Sequence, residues 1–151
     1  MALLDKIRHD LKEALKKGEK GKVSALRMVL SAIKNKEIEK KGSLDDGEVV
    51  RVVQGLVRQS RDAIEQFQKG ERKDLVAKEE AFVSFCETYL PAQLSEEEVE
   101  TIIRSVIEEV GAVGVKDMGK VMKNVMPKIA GRADGKAVNQ KVRAILAENS
   151  P

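Results

Sequence analysis

Apolar residues recur every three to four positions along most of the chain, a spacing that places them on one face of an α-helix. The first part of the sequence predicts four helices, at about residues 3–17, 22–40, 46–69 and 72–90. Gly18 and Gly21 are expected to separate the first two helices, because glycine is a poor helix former. Ser43 and Asp46 have the spacing of a capping box, so they predict where the third helix starts.

The remaining sequence predicts three shorter helices, at about residues 96–110, 117–126 and 135–148. Pro91 ends the fourth helix, because the residue before a proline avoids helical geometry, and a domain boundary is expected just after it. Ser95 and Glu98 form a second capping-box pattern, and Asp134 has a residue type favoured at helix N-caps. Pro127 is expected to end or kink the sixth helix.

The pattern as a whole predicts an all-α protein in two parts. An N-terminal helical bundle of about four helices is expected over residues 1–92, and a small three-helix C-terminal domain over residues 93–151. Composition agrees, because 42% of the residues are hydrophobic and only 3% are aromatic. The cores must therefore be built from aliphatic side chains and methionine, and a chain this rich in apolar residues is globular rather than disordered.

The single cysteine, Cys86, excludes an intramolecular disulfide and is typical of a reducing compartment. The N-terminal segment is charged and amphipathic, without the continuous apolar stretch of a secretory signal peptide. No run of about 18 apolar residues occurs, so no membrane span is expected. These observations predict a cytoplasmic protein.

The sequence predicts no catalytic residue, no metal site and no cofactor. Cys86 shares a helical stripe with Phe82 and Tyr89, and an apolar setting of this kind makes a thiol unreactive. The only histidine, His9, falls between the apolar positions of the first helix and is expected to face solvent. Three consecutive glutamates follow Ser95, where acidic side chains complement a helix dipole without any need for a metal.

Charge is distributed unevenly in the second part of the chain. Residues 94–110 carry six acidic side chains and one basic, whereas residues 111–151 carry eight basic and three acidic. Lys116, Lys120 and Lys123 recur at helical spacing on one predicted face. The positive charge continues through Lys128, Arg132 and Lys136. Aligned cations of this kind can neutralise nucleic-acid phosphates, although a small helical domain can also solvate its outer face with lysines.

Other interpretations of these residues stay open. With so few aromatic residues, base stacking on single strands is not expected, which favours the backbone and shape of a folded RNA. Asn139, Gln140 and Arg143 on the last helix would suit a DNA-binding helix-turn-helix, an alternative ranked below RNA. A protein-interaction adaptor is the main alternative, and it would use the arginines of the third helix, Arg51, Arg58 and Arg61.

Four motifs stand in one order along the chain: RQSRDAIEQF at 58–67, YLPAQLS at 89–95, KDMGKVM at 116–122 and GRADG at 131–135. Together they resemble the YqeY family of bacterial proteins over essentially the full length. That family is related to the C-terminal region of GatB, a subunit of the glutamine-dependent aminoacyl-tRNA amidotransferase. The resemblance implies a carbon–nitrogen ligase association with glutamine as amido donor, with the chemistry located outside the region that this chain matches.

The resemblance also implies a tRNA-facing surface on the tail domain. Together with Lys128 from the charge pattern, the residues expected to bind RNA are Lys116, Gly119, Lys120, Lys123, Gly131, Arg132 and Lys136. Asp117 and Asp134 are expected to be helix caps. The sequence therefore predicts a tRNA-binding module, non-catalytic by itself, whose partners are tRNA and an amidotransferase or aminoacyl-tRNA synthetase.

Overall fold

The computed structural model describes residues 2–148. This part of the chain is all-helical and contains no β-strand, which confirms the predicted fold class. Its helices are α1 (Leu3–Lys17), α2 (Lys20–Lys40), α3 (Asp46–Lys69), α4 (Lys73–Glu87), α5 (Glu96–Val110), α6 (Met118–Ile129) and α7 (Gly135–Glu148), with a short 3₁₀ helix (Val115–Asp117) before α6.

The chain divides into two compact units, with the division between Leu90 and Pro91. Helices α1 to α4 belong to the first unit, and α5 to α7 belong to the second. Each unit encloses its own cluster of buried aliphatic side chains. No helix of the described chain is both long and apolar enough to cross a membrane.

The core of the first unit lies between the apolar faces of α1 to α4. Cys86 is fully buried there, as the sequence predicted, and burial raises the pKa of its thiol to about 12. The hydroxyl of Tyr89 donates a hydrogen bond of 2.5 Å to Oδ2 of Asp10, which connects the turn after α4 to α1. His9 is exposed, as predicted.

Two local predictions in the first unit were wrong. Gly21 lies inside α2, and the break falls at Gly18 alone, whose φ of 68° allows it to end α1 in the left-handed region. The capping box of α3 is formed by Asp45 and Glu48 rather than by Ser43 and Asp46. The Asp45 carboxylate accepts a hydrogen bond of 2.8 Å from the backbone N–H of Glu48. The Glu48 carboxylate accepts one of 3.1 Å from the backbone N–H of Asp45.

The second unit begins as the sequence predicted, with Ser95 and Glu98 forming the capping box of α5. Pro127 was expected to end or kink the sixth helix, and it does not end it, because α6 continues through it to Ile129. A proline removes the N–H that would bond to the carbonyl four residues earlier, here that of Lys123. Both residues are exposed, so water can satisfy this carbonyl and the helix can tolerate the proline.

Candidate nucleic-acid interface

The outer face of α6 presents two lysines to solvent. Val121, Val125 and Ile129 are fully buried on its inner face, and this fixes the rotation of the helix. Lys120 and Lys123 are exposed on the opposite side. Within residues 2–148, no carboxylate lies within 4.0 Å of either ammonium group. Their charge is therefore available to an anion from outside the chain.

Lys116 extends this positive surface into the 3₁₀ helix, where it is also exposed. Its neighbour Asp117 occupies the N-cap position of α6, but its side chain does not cap that helix. The carboxylate instead accepts a hydrogen bond of 2.9 Å from the backbone N–H of Val113. This bond, aided by the positive charges of Lys116 and Lys120, lowers the pKa of Asp117. Asp117 thus shapes the turn that presents Lys116.

Gly119 is exposed beside the two lysines of α6. A Cβ atom built at this position would meet nothing within 4 Å, so close packing within the described chain does not require glycine here. Glycine in a helix costs up to about 1 kcal/mol relative to alanine. An open position next to two cations is compatible with the close approach of a ligand backbone.

Lys128 is exposed but differs from these lysines in its surroundings. Its ammonium lies 3.3 Å from Oε2 of Glu109 on α5. This ion pair joins α6 to α5 across the second unit and partly neutralises the charge that was assigned to RNA binding. Two exposed charges in such a pair contribute little to stability, so Lys128 remains able to exchange partners.

Gly131 and Arg132 contact the segment that precedes α5. Gly131 has a φ of 75°, and its carbonyl accepts a hydrogen bond of 3.0 Å from Nε2 of Gln93. Arg132 donates through Nε to the carbonyl of Ala92 at 3.2 Å, and its own carbonyl accepts a bond of 2.8 Å from the N–H of Leu94. Both residues are half-buried. Their hydrogen bonds connect the loop after α6 to the segment before α5, which is a structural role.

Lys136 lies in the first turn of α7 and is exposed. No carboxylate approaches its ammonium within 4.0 Å in the part of the chain that the structure describes. Val138 donates a backbone hydrogen bond of 3.0 Å to the carbonyl of Asp134, which places Asp134 at the helix start. Gln140 and Arg143 are exposed on the same side of α7, four and seven residues after Lys136.

Gln93 also belongs to this region, although the sequence patterns did not predict it. Its amide donates to the carbonyls of Pro91 and Gly131, at 2.7 and 3.0 Å, so it connects the segment before α5 with the loop after α6. Its position inside the YLPAQLS motif is the only trace of this role in the sequence. Periodicity could not reveal it, because the two partners lie 38 positions apart.

Across residues 2–148, no group of three or more histidine, cysteine, aspartate or glutamate side chains could hold a metal ion. A cavity in the second unit is lined mainly by apolar and small residues of α5, the loop after it and Ile145. Its polar side chains are Arg104 and Glu108.

The arginines of α3 proposed for an adaptor surface are exposed, but they differ in their contacts. The guanidinium of Arg61 lies 2.7 Å from Oε1 of Glu87 and thereby links α3 to α4. Arg51 and Arg58 are also exposed on α3. All three arginines are therefore exposed on one helix, and the guanidinium of Arg61 also takes part in the link to α4.

Comparison with known proteins gives a family and a set of relatives. The model of the YqeY family, described as Yqey-like protein, matches residues 4–146. A relative from Pyrenophora tritici-repentis, named altered inheritance of mitochondria protein 41, mitochondrial, is 28% identical over 148 residues, which cover 95% of this chain and 81% of the relative. The protein of the same name from Vanderwaltozyma polyspora is 32% identical over 130 residues, or 81% of this chain and 70% of the relative.

A third relative, from Saccharomyces cerevisiae, carries the same name and is 38% identical over 90 residues, which cover 59% of this chain and 49% of that protein. These names contradict the predicted cytoplasmic localisation, because every one of these relatives is called mitochondrial. The prediction rested on the single thiol and on the absence of a secretory signal pattern. Neither observation separates the cytoplasm from another reducing compartment, so it was wrong for a physical reason. The match over residues 4–146 shows that the chain belongs to the YqeY family.

Proposed function

We propose that this protein binds tRNA through the lysine face of α6 and is not catalytic by itself. The observation that carries the proposal is the pair Lys120 and Lys123, exposed opposite the buried face of α6 and without a carboxylate within 4.0 Å in the described chain. Lys116 precedes this face and Lys136 follows it along the chain. These four exposed ammonium groups, with no carboxylate of the described chain within 4.0 Å, favour a polyanion as ligand.

A folded RNA fits this surface better than other nucleic acids. The second unit offers no aromatic side chain for base stacking, so a single strand would be held by its backbone alone. Lysines contact phosphates without reading sequence, as in recognition of RNA by its shape. The resemblance of the tail motifs to an amidotransferase subunit supports tRNA as that RNA.

We assign different roles in this function to the two compact units. We place RNA binding on α5 to α7 as a three-helix tail domain, and we assign α1 to α4 to an N-terminal bundle, consistent with their separate cores. A carbon–nitrogen ligase activity with glutamine as amido donor would reside in a partner, either an amidotransferase or an aminoacyl-tRNA synthetase. Burial raises the pKa of the Cys86 thiol to about 12, so this thiol is not an activated nucleophile, which supports a binding role for this chain.

The test is binding of the full chain to bulk tRNA across a salt series, with duplex DNA as competitor. Replacing Lys120 and Lys123 by glutamine is expected to reduce the slope of log affinity against log salt by about 2, since each lost phosphate contact removes about 1. A matched control replaces Lys73 and Lys78 of α4, two exposed lysines of the first unit, by glutamine. The control should retain the slope and affinity of the native chain.

Three results of this binding experiment would contradict the proposal or change it. A native chain that binds no tRNA even at low salt would overturn the proposal. Equal weakening by both pairs of substitutions would mean that net charge alone governs binding, and the assignment of α6 would fail. Stronger competition by duplex DNA than by tRNA would favour the helix-turn-helix interpretation of α7 instead.

An adaptor role is the second candidate, and the exposure of Arg51 and Arg58 on α3 favours it. Arginine is enriched at protein interfaces, where its guanidinium can form several hydrogen bonds. A pull-down with the full chain distinguishes the two functions. A partner retained after nuclease treatment, and lost when Arg51 and Arg58 become glutamine, would favour the adaptor. Complete release by nuclease would favour RNA binding.

A further inference from the structure

Helix α2 carries a row of cations on its outer face. Lys20, Arg27 and Lys34 follow one another at intervals of seven residues, and all three are exposed. Seven residues make nearly two full turns, so the three side chains lie along one side of the helix, about 10 Å apart. The buried residues Leu26, Val29 and Ile33 hold the opposite side against the core.

These cations form no ion pair with the acidic residues of α2. Glu37 lies three residues after Lys34 on the same side of the helix, but no ion pair joins the two. The acidic residues that do pair are Glu19, with Lys22 at 2.8 Å, and Glu39, with Lys36 at 3.5 Å. By contrast, no carboxylate of residues 2–148 lies within 4.0 Å of Lys20, Arg27 or Lys34. Ion pairs at a spacing of three residues do form on the flanks of this same helix, so the row differs from its surroundings in lacking them.

Neutral hydrogen-bond donors fill the spaces between the cations. Ser24 and Ser31 lie between them at intervals of three or four residues, and Asn35 follows Lys34. All three are exposed on α2. Serine and asparagine side chains join lysine and arginine in contacting phosphate oxygens, so the row combines charge with donors in the manner of a phosphate-contacting surface.

We infer that the outer face of α2, defined as Lys20, Ser24, Arg27, Ser31, Lys34 and Asn35, is a second phosphate-binding face for folded RNA. This inference rests on the proposed tRNA binding and extends it to the first unit. Cations and neutral donors alternate along about 22 Å of helix, a length over which the row can contact several backbone phosphates.

An anionic membrane is a less suitable occupant. A helix that lies in a lipid surface needs a continuous apolar face of large side chains beside its cations. Exposed apolar side chains on α2 are Met28 and Ile38, which are 55% and 66% exposed but ten positions apart. Leu26, Val29 and Ile33, which could have formed such a face, are buried in the core of the first unit.

The test uses the full chain with Arg27 and Lys34 replaced by glutamine, beside the control with Lys73 and Lys78 replaced. Glutamine is a good helix former and the four positions are exposed, so both variants should retain the helical circular dichroism of the native chain. At about 0.1 M salt, R27Q/K34Q is expected to weaken binding of bulk tRNA by ~10-fold or more and to reduce the salt slope by about 2. The control should change neither quantity.

Comparison with the α6 variant separates this inference from the proposed function. Full affinity in R27Q/K34Q, together with weakened binding when Lys120 and Lys123 are replaced, would overturn the α2 face and leave tRNA binding in place. No binding by the native chain would overturn both. Flotation with vesicles containing anionic lipid supplies a further check. Vesicle binding that R27Q/K34Q abolishes, with tRNA affinity unchanged, would replace RNA by a membrane as the occupant.

Discussion

The guanidinium Nε of Arg132 donates a hydrogen bond of 3.2 Å to the carbonyl oxygen of Ala92, 40 positions earlier in the chain. Together with the bond from the Leu94 N–H to the Arg132 carbonyl, it fastens the loop between α6 and α7 to the segment before α5. A residue that the family resemblance assigns to RNA thus has a structural task. The GRADG motif is explained at least in part by folding.

Replacing Arg132 by lysine or by alanine separates these tasks. Both variants lose the fixed Nε donor, so we expect each to lower the free energy of unfolding of the second unit by about 1 kcal/mol. Lysine retains the positive charge and should retain tRNA affinity better than alanine. Urea unfolding followed by circular dichroism measures the first effect, and tRNA titration measures the second. Unfolding curves that coincide with the native curve would contradict the structural role.

Gly119 and Gly131 offer a matched pair of glycines with opposite expectations. Gly131 has a φ of 75°, so alanine there should destabilise the fold by about 1 kcal/mol. Gly119 has ordinary helical geometry and open space around a Cβ, so alanine there should stabilise α6 by about 0.5 kcal/mol. Thermal unfolding of the two variants tests both signs.

The tRNA affinity of the Gly119→Ala variant tests whether a ligand approaches α6 closely at this position. If a ligand backbone approaches α6 closely at this position, the variant will be more stable than the native chain and yet bind tRNA more weakly. Unchanged affinity would remove Gly119 from the interface while leaving the lysines beside it in place.

The features that the sequence predicted well are those set by neighbouring residues. The capping box of Ser95 and Glu98 needs only a fixed spacing and an apolar run after it, and both are visible in the sequence. Ser43 and Asp46 have the same spacing, but the capping box of α3 is formed by Asp45 and Glu48, which are also three residues apart. Lys40 favours the observed register, because its ammonium lies 2.6 Å from the Glu48 carboxylate.

The features that the sequence could not predict depend on distant partners. Lys128 and Lys123 are both exposed lysines of α6, yet only Lys128 meets a carboxylate, that of Glu109 on α5. Helical spacing along α6 contains no information about α5. The same holds for Gln93 and Gly131, whose bond exists only once the second unit has folded. Candidate sites on exposed faces could be named from charge, whereas their competing contacts required the structure.

Cys86 should be unreactive in the folded protein. Its side chain is fully buried, and burial raises the pKa of the thiol to about 12, so the thiolate is scarce at pH 8. We expect Ellman's reagent to label the native chain only as fast as the first unit opens, and to label it rapidly in urea. Rapid labelling without denaturant would contradict the buried position.

Replacing Cys86 by serine should destabilise the first unit by about 1–3 kcal/mol, because it buries a hydroxyl group.

Glu98 should make the stability of the second unit depend on pH in the acid range. The backbone N–H of Ser95 donates a hydrogen bond of 3.0 Å to its carboxylate, and this bond lowers the pKa of Glu98, with the Ser95 side chain and the charge of Arg132 acting in the same direction. Because the folded pKa lies below the unfolded one, the unfolded chain binds protons more readily. The stabilising contribution is therefore complete above about pH 5 and is lost as the pH falls through the folded pKa.

The Glu98→Gln variant isolates this effect, because glutamine can occupy the same position of a capping box but does not titrate. We expect the native chain to lose more stability than the variant between pH 6 and pH 3, with the two curves converging at the acid end. Urea unfolding at closely spaced pH values, monitored by helical circular dichroism, supplies the measurement. Other carboxylates of the chain titrate equally in both proteins, so only the difference between them reports on Glu98. Parallel curves over this range would mean that the carboxylate and the Ser95 N–H are not bonded in solution.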